Sequence, residues 1–218
     1  MDIDNKTIYK NRFTQTELDF RKKVFLYLYE DFLKRYIPEN SVVLDLASGY
    51  CEFINVVKAD TKLALDINPD IKHHAAKDVE VLINDARNMT DVENNSIDIV
   101  FVSNFFEHIS REDILIVLGE IKRILRPGGK FLSLHPNFRH CYKDYFMYFD
   151  HMTPLDDKSY VEALKLHDFD IVECLPKTLP YTIKERIPKI PLLLRVYLKM
   201  PILHKVFGKQ MFVCAQKV

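Results

Sequence analysis

Five short runs rich in valine, isoleucine and leucine, at 41–46, 62–67, 79–83, 97–103 and 130–134, are separated by segments able to form helices. Near-continuous apolar strands joined by helical crossovers bury both of their faces, which predicts a doubly wound, mostly parallel α/β sheet covered on each side. Ahead of the first run, Leu18, Val24, Phe25, Leu28, Phe32, Leu33 and Ile37 recur at steps of three and four. Thr14 and Glu17 are spaced as a capping box and Pro38 is a stop, so 14–37 is predicted as an amphipathic N-terminal helix. A second helix is predicted over 111–125, with Ser110 as N-cap and Arg126-Pro127-Gly128-Gly129 ending it before the fifth strand. Past His135-Pro136-Asn137, the aromatics Phe138, Tyr142, Tyr145, Phe146, Tyr148 and Phe149 are too dense for an ordinary connection and predict an insertion or lid after strand 5. A helix at 156–167, a strand at 170–175, a Pro- and Lys-rich segment at 176–208 and a last strand at 210–215 complete the pattern.

At 218 residues and 48 % hydrophobic content, the chain suits one domain, 1–218. Its expected parts are a helical cap at 1–40, a cofactor-binding core at 41–135, and an acceptor-side insertion with the C-terminal strands at 136–218. Lys plus Arg number 31 and Asp plus Glu number 31, so no net field favours a nucleic acid. The four cysteines, Cys51, Cys141, Cys174 and Cys214, form no C-x-x-C pair, which argues for a reducing, cytoplasmic setting without a disulfide framework. His135, His140 and His151 lack metal-ligand spacing, so no metal is expected. Residues 1–11 lack the apolar core of a secretory signal, and Arg195 and Lys199 interrupt the most apolar run.

Ligands of open α/β sheets bind beyond the carboxyl ends of the strands. The first strand ends at Asp45 and turns through Ala47, Ser48 and Gly49, small residues that let the backbone approach a ligand. Asp66 and Ile67 end the second, where a carboxylate can accept bonds from both hydroxyls of a ribose. Asp85 and Ala86 follow the third, suited to an adenine amino group and ring nitrogens. At the end of the fourth, Ser103, Asn104, Phe105, Phe106, Glu107 and His108 appear where a plain buried strand should simply stop.

With these four segments and the turn Leu125-Arg126-Pro127-Gly128-Gly129-Lys130-Phe131, the chain resembles the class I S-adenosylmethionine-dependent methyltransferases over about 42–135. It resembles most the type 11 branch, whose fourth strand ends in a Glu-His pair. The resemblance implies a Rossmann-like sheet of seven strands, the last antiparallel, and S-adenosylmethionine as cofactor. It assigns Asp45 and the loop Ala47, Ser48 and Gly49 to the methionine part, Asp66 with Ile67 beside it to the ribose, and Asp85 with Ala86 to the adenine. Ser103, Asn104 and Phe105 then flank the amino acid and sulfonium. Ala47 and Cys51 stand where the family usually carries glycines.

Methyl transfer needs an aligned nucleophile and, for a hydroxyl, a base. The candidates near the carboxyl edge are His135, His108, Glu107, His151 and Asp150, with Asp150-His151 a potential dyad and His108 read first as shaping the cofactor pocket. The aromatic stretch suits a small-molecule or sugar acceptor. The C-terminal part is similar to tails of bacterial methyltransferases of surface-glycan assembly, which points to O-methylation and polysaccharide biosynthesis. Its apolar and basic residues across 183–207 allow a weak contact with a membrane surface or, as the favoured reading, a pair of short helices packed on the domain. An NAD-dependent oxidoreductase requires G-x-G-x-x-G, which 47–52 does not supply. A non-catalytic adenosylmethionine-binding protein on the same scaffold is the remaining alternative, against which the three acids Asp45, Asp66 and Asp85 speak.

Overall fold

The computed structural model describes residues 14–181 and 191–218, without the side chains of 191 and 192. Seven strands, β1 Val42–Leu46, β2 Thr61–Asp66, β3 Glu80–Ile83, β4 Ile97–Ser103, β5 Leu125–Pro136, β6 Phe169–Leu175 and β7 Gln210–Lys217, form one sheet in the order β3-β2-β1-β4-β5-β7-β6. The first five run parallel, and β7 is antiparallel to both β5 and β6. The chain winds outward from β1 to β3 and then resumes on the other side of β1 with β4, so the topological switch point lies between β1 and β4.

Strand periodicity divides the core. Leu44, Val100 and Val102 face one apolar layer with Ile114, Val117, Leu118 and Ile121 of a helix Arg111–Ile124. Their neighbours Val43, Ile99 and Phe101 face the opposite layer, with Leu28 and Phe32 from the N-terminal helical segment. The helices are α1 Gln15–Asp31, α2 Arg111–Ile124, α3 Phe138–Cys141, α4 Asp157–Leu166, α5 Pro191–Lys199 and α6 Pro201–Phe207.

Thr14 and Glu17 make the expected capping box, with Glu17 Oε2 accepting from the Thr14 backbone N–H at 2.9 Å. The helix stops at Asp31, short of Pro38, and a 3-10 turn, Leu33–Arg35, carries the chain onward. Ser110 caps α2 as expected, at 3.0 Å from the Asp113 N–H. The glycine turn is required by space: a Cβ on Gly129 would lie 2.9 Å from the Arg126 carbonyl oxygen and 3.1 Å from that of Asp98.

Two features differ from expectation. No α-helix follows β1; residues 49–56 are turns, with left-handed backbone angles at Ala47, Gly49 and Cys51 holding off the helical bonds until Asn55 N–H meets the Cys51 carbonyl at 3.1 Å. The expected crossover helix between β2 and β3 is a 3-10 turn, Pro69–His73. The aromatic insertion folds as α3 and a 3-10 turn, Tyr145–Met147. Of its six aromatics, Tyr145 is buried, Phe138 and Tyr148 pack against it, and Tyr142, Phe146 and Phe149 are exposed.

The favoured reading of the C-terminal segment holds for α5, docked on α1 with Arg195 Nε 2.8 Å from Asp31 Oδ2 and Tyr197 and Leu198 buried, and for α6, packed on α5 through His204 and Tyr197. The stretch 182–190 and the polar start 1–13 lie outside the described residues. Among the described residues no helix is long and apolar enough to cross a membrane.

Candidate active site

At the carboxyl end of β1, Ala47 (φ 56°), Gly49 (φ 52°) and Cys51 (φ 58°) all adopt left-handed backbone angles. This alternation curls the loop so that its amides turn toward the next strand. The Ser48 N–H donates to the Leu65 carbonyl at 3.2 Å and the Gly49 N–H to Asp66 Oδ2 at 2.9 Å. Asp66 Oδ1 accepts from the Asn68 N–H at 2.9 Å. Each carboxylate oxygen thus spends one lone pair on the protein and keeps another for a ligand. The face of Gly49 is open, since a Cβ there would meet nothing within 4 Å.

Below this loop the charges are one-sided. Asp45 and Glu52 are buried, and Glu52 Oε1 pairs with Arg21 Nε of α1 at 2.6 Å. Burial pushes the Asp45 carboxyl well above its ordinary pKa; the negative charges of Glu52 and Asp66 add to this, and the Ile54 N–H partly relieves it. With Glu52 already paired to Arg21, Asp45 is the buried acid that a cationic group would relieve. Burial also pushes the Cys51 thiol up to about 12, with the charges of Asp45 and Glu52 reinforcing it, so this cysteine is inert packing.

Asp85 is clamped by Arg87, whose Nη2 lies 2.6 Å from Oδ2, and that bond holds its carboxyl below the usual range against partial burial. Ala86 is buried beside it, while Ile67 is largely exposed at the tip of β2. At the end of β4, Asn104 has φ 49° and donates from Nδ2 to Ser103 Oγ at 3.0 Å, and its N–H reaches the Leu134 carbonyl at 2.9 Å. Phe105 is half-buried next to them.

A second polar group sits at the same edge, where β4 and β5 end under the insertion. Glu107 is 2 % exposed, and its carbonyl accepts the Met152 and Thr153 N–H groups at 2.8 and 3.2 Å, fastening the segment after β4 to the insertion. His108 Nδ1 lies 3.2 Å from Asp150 Oδ2, and its Nε2 4.0 Å from Glu107 Oε1. The His108 and His151 rings meet edge to face at 4.9 Å, and Tyr181 OH is 3.5 Å from His151 Nδ1. His135, 1 % exposed, is stacked on Phe106 at 5.0 Å, with Nδ1 3.5 Å from Glu107 Oε2. Burial opposes charge on His108, yet the bonds to Asp150 and the charge of Glu107 leave its pKa raised. Burial likewise opposes the Glu107 charge, but His135 and the charges of His108 and His135 hold it below the ordinary value.

Residues 44–133 match a family model described as a methyltransferase domain. Residues 44–133 thus carry a methyltransferase domain. No curated protein matches it by sequence. The fold is shared with solved structures of low identity. A SAM-dependent methyltransferase from Archaeoglobus fulgidus superposes with TM-score 0.64 at 19 % identity, covering 90 % of this chain and 94 % of that one. For a chain of the complex between the Haloferax volcanii Trm112 methyltransferase activator and its methyltransferase, the values are 0.65, 18 %, 92 % and 95 %. For a SAM-dependent methyltransferase from Thermotoga maritima they are 0.64, 18 %, 94 % and 95 %.

In this methyltransferase the expected catalytic group is partly regrouped. Asp150 pairs with His108, not with its neighbour His151, because adjacent side chains on a turn diverge while the insertion folds back over β4. His135 lies deeper, against Glu107. The expectation that no metal-ligand set exists rested on sequence spacing and named His135, His140 and His151; in space, ligand atoms of Glu107, His108 and His151 lie within 4.8 Å of one another. Arg21 and Glu52 were not singled out from sequence, since nothing local marks a pair 31 residues apart.

Proposed function

We propose that this methyltransferase alkylates a hydroxyl of a small-molecule or sugar acceptor held against Glu107, His108, Asp150 and His151. The observation that carries the reading is the His108–Asp150 pair, 3.2 Å apart, at the same sheet edge as the cofactor loop. The residues around that loop fit S-adenosylmethionine: a buried acid at Asp45 that a cation relieves, a two-oxygen acceptor at Asp66, and an open backbone at Gly49. Bound there, the cofactor supplies a methyl group on a sulfonium, an electrophile with its leaving group already in place.

The protein's share is alignment and proton handling. Asp45 offsets the positive charge of the methionine end, Asp66 accepts from the ribose hydroxyls, Asp85 and Ala86 meet the adenine, and Ser103, Asn104 and Phe105 flank the reacting centre. The imidazole and carboxylate groups around His108 receive the acceptor's proton, with Asp150 fixing the ring. Tyr148 and Tyr181, packed around His151, wall the acceptor side.

A lipid-linked sugar is the acceptor class that best explains the C-terminal helices. Leu193, Val196, Met200, Ile202, Val206 and Phe207 are all exposed on α5, α6 and their junction. From 186 to 218 the chain has seven lysines and arginines and no acid, within a protein of zero net charge. An apolar stripe that carries the exposed Lys205 suits an anionic bilayer surface.

Calorimetry tests the core of the reading. S-adenosylhomocysteine should bind one to one, Asp66→Ala should abolish the binding, and radiolabelled methyl should pass to hydroxyl acceptors. Binding of NAD with none of the nucleoside thioether would overturn it.

A further inference from the structure

We propose that Glu107, His108 and His151 form a binding site for a divalent transition ion of the zinc class. The three lie within 4.8 Å of one another by their ligand atoms, with Glu107 Oε1 and His108 Nε2 4.0 Å apart. A tetrahedral ion with bonds of about 2.0–2.1 Å spaces its ligand atoms roughly 3.3 Å apart, so side-chain adjustments of about an ångström close the set.

The surroundings are those of a metal site. Ligating histidines characteristically give their second nitrogen to a carboxylate or hydroxyl. Here His108 Nδ1 faces Asp150 Oδ2 at 3.2 Å, which leaves Nε2 toward Glu107, and Tyr181 OH stands 3.5 Å from His151 Nδ1. Glu107 Oε2 is buried, with His135 Nδ1 3.5 Å away and no closer hydrogen-bond donor. Charge points the same way. Glu107 and Asp150 are two carboxylates buried at 2 and 3 % exposure beside these imidazoles. Two imidazoles and one carboxylate select zinc, cobalt or iron over magnesium or calcium, which prefer all-oxygen sets. His108 retains 13 % side-chain exposure, so the site has an entrance.

Three protein ligands leave a coordination position. Resting on the reading of this cluster as the acceptor side, that position takes the acceptor's oxygen; with the ion bound His108 and His151 are ligands rather than bases, and the proton that the ion loosens passes to solvent. The ion also fastens the segment after β4 to the insertion.

The probe is cobalt(II), titrated into the EDTA-treated full chain and followed by its visible d–d absorption, with zinc as competitor. The expected result is one cobalt per chain, displaced by zinc, with apparent affinity at least 100-fold weaker in His151→Gln and in His108→Gln and 10- to 100-fold weaker in Asp150→Asn. His140→Gln should bind as the parent does. Cooperative thermal unfolding of each variant establishes that it is folded. Absence of a stoichiometric cobalt spectrum in the parent, or its persistence in folded His151→Gln and His108→Gln, overturns the site. S-adenosylhomocysteine binding is measured on the same samples: cobalt bound without it keeps the metal site and overturns the proposed function, and the converse result does the opposite.

Discussion

His108 Nδ1 and Asp150 Oδ2 stand 3.2 Å apart although 42 residues separate them in the chain. The contact exists because the carbonyl of Glu107 receives two amides of the insertion, which brings Asp150 back over the end of β4. Asp150→Asn keeps the shape and the backbone carbonyl that His108 Nδ1 meets at 3.1 Å, and removes only the carboxylate charge beside the ring. We expect kcat to fall by about 10²-fold, within the usual reach of acid–base groups, with binding of S-adenosylhomocysteine unchanged. Steady-state kinetics beside calorimetry checks this; an unchanged kcat would remove the pair from the mechanism.

The same pair has a stability signature. His108 has a raised pKa in the folded protein, so its contribution is full below its unfolded value and is lost as pH rises through the folded one. Glu107 has a lowered pKa, so its contribution is full above its unfolded value and is lost as pH falls through the folded one. The Tm should therefore pass through a maximum between those limits. In His108→Gln the decline on the alkaline side should flatten, as thermal unfolding between pH 4 and pH 9 would show.

Asp45 links cofactor affinity to pH. Its carboxyl is raised by burial and by Glu52 and Asp66, and a ligand bearing an α-ammonium favours the ionised form. Binding should release a proton, and below the folded pKa affinity should fall by up to about tenfold per pH unit. Calorimetry in buffers of different ionisation heat measures the released proton directly. Asp45→Asn should abolish the release and weaken binding.

Much of this arrangement was legible beforehand. The strands and the caps at Thr14 and Ser110 follow from side-chain period and capping chemistry, which act over a few residues. The acids at strand tips were legible because each directly follows an apolar run. What was not legible depends on long-range closure. The Arg21–Glu52 pair, the exchange of His151 for His108 as partner of Asp150, and the convergence of Glu107, His108 and His151 each need two distant segments to meet. The missing helix after β1 has a local cause that the residue types conceal, since alanine and cysteine do not advertise a left-handed backbone.

That strain separates two otherwise similar substitutions. Ala47 and Cys51 both hold a conformation that costs a side-chain-bearing residue about 1–2 kcal/mol, whereas glycine costs about 0.4–1 kcal/mol through the unfolded chain. Ala47 is only half-buried, so Ala47→Gly should raise stability by about 0.5–1 kcal/mol. Cys51 is fully buried in the core, and losing its side chain costs about 1–2 kcal/mol, so Cys51→Gly should be neutral or destabilising. Urea denaturation of the two variants gives the contrast.

The C-terminal helices provide the last test. Ile202 and Val206 are each 66 % exposed and four residues apart on α6, so they share a face, and Lys205 lies exposed between them. Burying that face in a bilayer removes apolar area from water, while the lysines meet lipid phosphates at about 1 kcal/mol each. The chain should therefore sediment with vesicles rich in phosphatidylglycerol and remain in solution with phosphatidylcholine alone, and 0.5 M salt should weaken the binding because screening acts on exposed charges. Ile202→Glu with Val206→Glu replaces two apolar contacts by two charges of the wrong sign, and should abolish sedimentation without changing S-adenosylhomocysteine affinity. If the parent fails to sediment and light scattering shows a dimer that the double variant breaks, the face pairs two copies of this chain and the lipid-linked acceptor loses its support.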